Sequence, residues 1–330
     1  MASNGDLAQP CLEGPDEPRD SVNDRATPEP CSELWFNDGS IILQASNVLF
    51  RVHRSILQAN SEIFHDMLDI AHNNGDEEMI DGLQVVKLAD DEMDVKALMK
   101  AIYQRSYIDM LSNDNVETFV DNISGILRLS TKYEFKDIRK AIIAALENIT
   151  PTTFGRAMEL FPEGTPKESL FVPAMKVAAL AVECNIPLLL PMALYHICHD
   201  LPASGEKDEM FLRSNLLSDG LKAWTLSGRA RLGYAQEVDP ETQLRDVFSV
   251  PGGGNCRKGG CSLPTLRSQG SHMSIVNKMA WRGSGATCFS CAQKLEAICF
   301  ERKRKIWGKL PEFFGLGQSW EDLKKQQEGY

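Results

Sequence analysis

Between Asp38 and Leu68 the recurrence of apolar residues changes from an extended-chain run to helical spacing without a break in the chain. Asp38-Gly39-Ser40-Ile41-Ile42-Leu43-Gln44-Ala45 is short, rich in Ile and Leu and opened by a Gly, and it reads as a strand. Asn47 falls in the turn, and Leu49-Phe50-Arg51-Val52 reads as the returning strand. From Ser55 onward Ile56, Leu57, Ile63, Phe64, Met67 and Leu68 recur at helical spacing. A hairpin that runs straight into two short helices points to an α+β fold, and no catalytic residue is needed to build it.

The rest of the chain adds mostly helices. His72 to Asp81 is polar and acidic and reads as a loop, and Gln84 to Leu88 as the next strand. Asp90 and Asp91 precede Val95, Leu98, Met99, Ile102 and Tyr103, an N-cap followed by an apolar stripe. Residues 104–113 read as irregular. Asp114, with Glu117 three positions on, opens a helix whose stripe is Val116, Phe119, Val120, Ile123 and Leu127. A helix from Lys136 to Asn148 turns Ile138, Ala141, Ile142 and Leu146 inward. Thr150-Pro151 and Thr165-Pro166-Lys167-Glu168 read as helix starts. Phe171 to Glu183 carries Met175, Ala178, Ala179 and Val182 on one face, and Met192 to His199 is a further helix. Ser218 to Leu232 is compatible with a helix, Pro251-Gly252-Gly253-Gly254 is a break, and Ala292 to Leu310 is amphipathic. Phe313, Phe314, Leu316 and Trp320 are apolar enough to dock onto the body.

The order of elements, with His53-Arg54-Ser55-Ile56-Leu57-Gln58-Ala59-Asn60-Ser61-Glu62-Ile63-Phe64 at its centre, resembles a BTB/POZ domain. Val85-Val86-Lys87-Leu88, the helix from Met93 to Tyr103 and Ile126-Leu127-Arg128-Leu129-Ser130-Thr131-Lys132-Tyr133 are similar to later parts of that domain. The Asp-Gly-x-Ile-x-Leu-Gln-Ala opening and the C-terminal aromatic ending look most like stand-alone fungal, mushroom-type BTB proteins. The resemblance implies a small sheet flanked by helices. It divides the chain into an acidic, Pro-rich disordered tail (1–32), the BTB/POZ domain (33–148), a helical extension (149–215) and an irregular or helical C-terminal region with paired cysteines (216–330). It implies a homodimer with Asp38, His53, Arg54, Ile56 and Leu57 at the interface, Asp38 and Arg54 being the charged pair. Both charges facing solvent is the alternative. It also offers a role as substrate adaptor of a cullin-3 ubiquitin ligase. Docking there needs an apolar-x-Glu element, and Tyr107-Ile108-Asp109 supplies Ile108 and Asp109, with Asp in place of Glu.

Composition bounds the function. The chain is 43% hydrophobic and 25% charged, enough apolar material for packed cores. Its formal charge of −11 argues against a surface that binds nucleic acid throughout. The charge is uneven: residues 1–32 hold seven acids against two bases, and residues 256–330 hold thirteen bases against six acids. A nuclear regulator contacting nucleic acid through the basic C-terminal segment is therefore the alternative function. Glu301-Arg302-Lys303-Arg304-Lys305 is either a localisation or phosphate-binding run or a solvated helix face. No apolar signal region follows Met1 and no long apolar run is present, so a membrane partner is not expected and the cytoplasm or nucleus is.

No hydrolase, metalloprotease or dinucleotide motif is present, and the sequence reads as non-enzymatic. His196 and His199 share a helix face near Cys184 and Cys198, but packing accounts for them better than a metal. Cys256 and Cys261, then Cys288 and Cys291, have the spacing of two knuckles that would close a tetrahedral structural zinc site. Gly254, Gly259, Gly260 and Gly285 flank them. Four independent reduced thiols are the alternative, and His272 or Cys299 could replace a ligand.

Overall fold

The structure, a computed structural model, describes residues 27–71, 78–161, 169–201, 205–237 and 289–328. Five strands form one sheet in the order β1-β3-β2-β5-β4. They are β1 (Glu29–Trp35), β2 (Ile41–Ala45), β3 (Val48–Val52), β4 (Met79–Ile80) and β5 (Leu83–Leu88). β2 and β3 form the expected antiparallel hairpin, with Ala45 opposite Val48 and the turn at Ser46 and Asn47. β5 lies parallel to β2 on one side and β1 parallel to β3 on the other. Ile41, Leu43 and Ala45 point to the helices, while Ile42, Leu49 and Val85 form a separate apolar cluster on the opposite face. Burial on both faces explains why β2 reads as a continuous apolar run rather than an alternating one.

Two strands correct the sequence reading. The tail expected over residues 1–32 gives way to strand at Glu29, where the Glu29 amide bonds the Asn47 carbonyl at 2.9 Å. Pro30 is tolerated because β1 is an edge strand. The loop expected to Asp81 contains β4, joined to β5 through Asp81 and Gly82 with φ of 50° and 74°. Left-handed backbone at both turn positions fits the twist of a two-residue hairpin.

The helices of the first half pack against the inner sheet face. α1 (Arg54–Asn60) and α2 (Glu62–Ala71) are separated by Ser61, whose extended backbone breaks the helix. Ser61 Oγ accepts the Phe64 amide at 2.9 Å and donates to the Tyr133 carbonyl, so a buried hydroxyl ties the break to the core. α3 (Glu92–Tyr103) is capped by Asp91, which accepts from the amides of Met93 and Asp94. α4 (Tyr107–Leu111) occupies part of the stretch expected to be irregular. α5 (Val116–Lys132) is capped by Asn115 rather than Asp114 and buries Phe119, Val120, Ile123 and Leu127 as the stripe predicts. In α6 (Lys136–Leu146) Ile142 and Leu146 are inward, while Ala141 is exposed and Ile143 is buried.

The second half is helical: α7 (Phe154–Leu160), α8 (Phe171–Glu183), a 3-10 turn at Pro187–Leu189, α9 (Leu190–Asp200), α10 (Glu206–Arg213), α11 (Asp219–Glu237), α12 (Phe289–Gly308), α13 (Leu310–Phe313) and α14 (Trp320–Glu328). Thr150-Pro151 does not start a helix. Thr150 Oγ1 donates back to the Leu146 carbonyl at 3.2 Å, and Thr153 caps α7 instead. The Thr165–Glu168 start lies outside the described residues. α8 spans the predicted residues and buries Met175 and Ala178, but Val182 faces out. α9 buries nine of its eleven residues, which places it at the centre of this half, between α8, α11 and α13.

One apolar core runs from Leu34 through α5, α8 and α9 to Phe314, so no break in packing falls at residues 148 and 149. α5 meets α8 through Arg128–Glu183 at 2.8 Å and Lys176–Asp121 at 2.7 Å, and Arg139 donates to the Cys184 and Asn185 carbonyls. The C-terminal aromatics dock as expected. Phe314 is buried on α11 at Gly228, and Trp320 stacks on Trp307 at 4.9 Å while donating to its carbonyl.

Candidate interaction surface

The residues singled out by sequence meet where the Phe36–Ser40 loop, the start of α1 and the end of α3 converge. His53 lies between β3 and α1. Its Nε2 is 3.3 Å from Asp38 Oδ1, and its Nδ1 is 3.0 Å from the Tyr103 hydroxyl. Phe36 stacks on Tyr103 at 4.6 Å and tilts over His53 at 5.2 Å. Gly39 is required here, because a Cβ would lie 2.8 Å from Arg51 Cγ and 3.0 Å from the Phe36 carbonyl. Arg51 closes the loop by donating to the Gly39 carbonyl at 3.1 Å and the Asn37 carbonyl at 2.5 Å. The Ser40 hydroxyl accepts the Arg54 amide at 3.0 Å.

Electrostatics follow this geometry. Hydrogen bonding from its own backbone amide, then from His53, holds the Asp38 carboxyl below the ordinary carboxylate value, with a smaller contribution from Arg51. Burial raises the Tyr103 phenol. Asp38 is 85% exposed, so its acceptor oxygens face water.

The expected pairing changes within the protomer. Arg54 bonds the Leu68 carbonyl and approaches Asp69 at 3.7 Å, while His53 and Arg51 are the groups beside Asp38. Leu57 cannot contact a partner, because it is fully buried in the core; Ile56 is half-buried. Ile63 and Ile70 on α2, one heptad apart, are 39% and 63% exposed. In the sequence Ile63 recurs at helical spacing with Phe64, Met67 and Leu68, and that spacing assigns no face to it. Two isoleucines seven apart on an amphipathic helix, one on the flank, were the signal available.

Ile108 lies half-buried on α4 against the core, and Asp109 is exposed beside it. Cys256, Cys261 and Cys288 lie outside the described residues, as does His272. Cys291 falls in the first turn of α12, and its side chain, like that of Cys299, is also outside them. Among the described residues no group of three or more His, Cys, Asp or Glu could hold a metal ion. His196 is buried with Nε2 3.1 Å from the Ile149 carbonyl, and burial lowers its pKa to about 4. Cys198 donates to the Thr225 carbonyl at 3.4 Å, and burial pushes its thiol up to about 12. His199 pairs with Asp200 at 3.0 Å. These are packing roles. In the basic run Arg304 lies 3.9 Å from Glu301 and Lys305 is exposed, which fits a solvated face.

A cleft of about 380 Å³ separates α3, α5 and the end of α8, lined by Asp90, Asp91, Asp94, Arg128, Lys132 and Glu183 among others. Burial, then the neighbouring Asp91, raises the Asp94 carboxyl, which lies against Gly125.

A small mixed sheet flanked by short paired helices is the frame that carries this surface. Residues 37–150 match the family model of the BTB/POZ domain, and this part of the chain is a BTB/POZ domain. No curated protein and no solved structure matches the chain. Among the described residues no helix is long and apolar enough to cross a membrane.

Proposed function

We propose that this chain is a non-enzymatic, homodimerising adaptor or scaffold whose BTB/POZ domain supplies self-association and whose helical remainder presents or recognises another protein. The observation that carries the reading is the family match over residues 37–150, joined to the surface where Asp38, His53 and Arg54 lie beside α1 and α2. Ile56, Ile63 and Ile70 offer apolar area next to these charges, and burial of such area is what drives association. Cullin-3 is the further partner, met through Ile108 and Asp109; the shorter Asp side chain makes that docking weak. The cytoplasm or nucleus is the setting.

Sedimentation of the full chain at tens of micromolar, alone and with the N-terminal part of cullin-3, tests the reading. A dimer is expected, weakened by Asp38→Asn, with little cullin-3 bound. A clean monomer removes the dimer, and sub-micromolar cullin-3 affinity removes the discount placed on Asp109.

A further inference from the structure

Asp38 and His53 connect to the rest of the domain through one hydroxyl. Tyr103 ends α3, fifty positions from His53 in sequence. Its oxygen accepts the backbone N–H of His53 at 2.9 Å, and that amide can only donate. The same oxygen lies 3.0 Å from His53 Nδ1. A phenol has a single hydrogen to donate, and among the described residues Nδ1 is the acceptor that its oxygen meets. A neutral imidazole carries one N–H. If Nδ1 accepts from Tyr103, the ring hydrogen is on Nε2, the nitrogen that faces Asp38 at 3.3 Å. The opposite tautomer would set the Nε2 lone pair against a carboxylate.

We propose that Tyr103 is a positioning residue that commits neutral His53 to the Nε2–H tautomer and so provides Asp38 with a fixed donor. The two ends of the relay differ in how much they can impose. Asp38 is 85% exposed and exchanges partners with water, whereas the His53 side chain is 21% exposed and Phe36 stacks on the Tyr103 ring. Both contacts call for the same tautomer, and the inner one, shielded from water, holds it while Asp38 exchanges partners. The cations nearby direct their hydrogen bonds to backbone carbonyls. Arg51 donates to the Asn37 and Gly39 carbonyls, and Arg54 to the Leu68 carbonyl. In the self-associating protein this would leave Asp38 held from one side and open on the other to a second copy. That last consequence rests on the proposed dimer; the tautomer does not.

The test is a long-range proton–nitrogen correlation spectrum of the full chain labelled at its six histidines. It is taken about two units above the ordinary imidazole pKa, with His53 assigned by His53→Gln. The neutral Nε2–H tautomer is expected in the wild type and in Asp38→Asn. Tyr103→Phe is expected to give a mixture with Nδ1–H. A wild-type His53 protonated on Nδ1 overturns the proposal, and this outcome decides even if Tyr103→Phe fails to fold. Loss of the tautomer in Asp38→Asn but not in Tyr103→Phe overturns it as well. Sedimentation of the same samples reports self-association separately, so failure of the dimer is not mistaken for failure of the relay.

Discussion

Replacing Gly228 with Ala should destabilise the protein, against the intrinsic preference of a helix. In a helix interior Ala is favoured over Gly by about 1 kcal/mol. At Gly228 the added Cβ would lie 2.0 Å from Phe314 Cδ1, 2.4 Å from Cε1 and 3.0 Å from Cγ. Ordinary carbon contact needs about 3.5 Å, so the ring must move by roughly 1.5 Å. Phe314 is 1% exposed, which leaves it little room to do so. Overpacking of this kind costs about 1–3 kcal/mol, and the upper end applies to a rigid buried ring, giving a net loss of about 2 kcal/mol. Phe314→Ala alone should cost about 3–5 kcal/mol. In that background the steric term vanishes, and Gly228→Ala should become stabilising by about 1 kcal/mol. The coupling between the two sites is then about 3 kcal/mol, read from a double-mutant cycle of urea midpoints at constant slope. Gly228→Ala that stabilises the protein with Phe314 in place would show that the C-terminal segment is not seated on α11.

His196 gives a pH dependence with a defined sign. Its folded pKa is about 4 against an ordinary 6.5, so below about pH 6.5 the unfolded chain binds the proton that the folded chain excludes. Stability should be full above that value and fall by on the order of 3 kcal/mol as pH drops toward 4. His196→Phe should flatten this window in urea titrations between pH 7.5 and 4.5, at the expense of the bond to the Ile149 carbonyl; an unchanged slope would show that His196 is not the group responsible. Zinc held by Cys256, Cys261, Cys288 and Cys291 should appear at near one equivalent in protein purified without added metal, with loss of folding on chelation; less than about 0.2 equivalents removes the site.

The part of the fold written most plainly in the sequence is the hairpin and its change of period. Strict alternation was not needed there, because Ile41 and Ile42 are both buried, on opposite faces. β1 was invisible for the converse reason. Of its seven residues only Leu34 is buried, and Pro30 argues against a strand unless the strand is known to be an edge. α4 is five residues long and buries none of them fully, so it carries no stripe. Thr150-Pro151 looked like a helix start because local chemistry cannot tell that Thr150 is already engaged in closing α6. At the surface, the family pattern paired Asp38 with Arg54, whereas within the protomer it is His53 that lies beside Asp38. The pattern could not reveal Tyr103, whose role depends on two chain segments fifty residues apart. Nor could it show that Arg54 turns to the Leu68 carbonyl, a backbone acceptor that exists wherever α2 happens to end.

The central position of α9 has a consequence for synthesis. α13 covers α9, and α14 packs against the 3-10 turn that precedes it. These covering elements are made roughly 120 residues after α9, an interval on the order of 6–25 seconds at ordinary translation rates. Through that interval a helix with nine core residues in eleven lacks part of its cover, although residues 37–150 have already left the ribosome. The nascent chain thus passes through a long stage in which its most deeply buried helix is open to holding factors or to neighbouring nascent chains, and slowing or truncating synthesis before Leu310 would prolong that exposure.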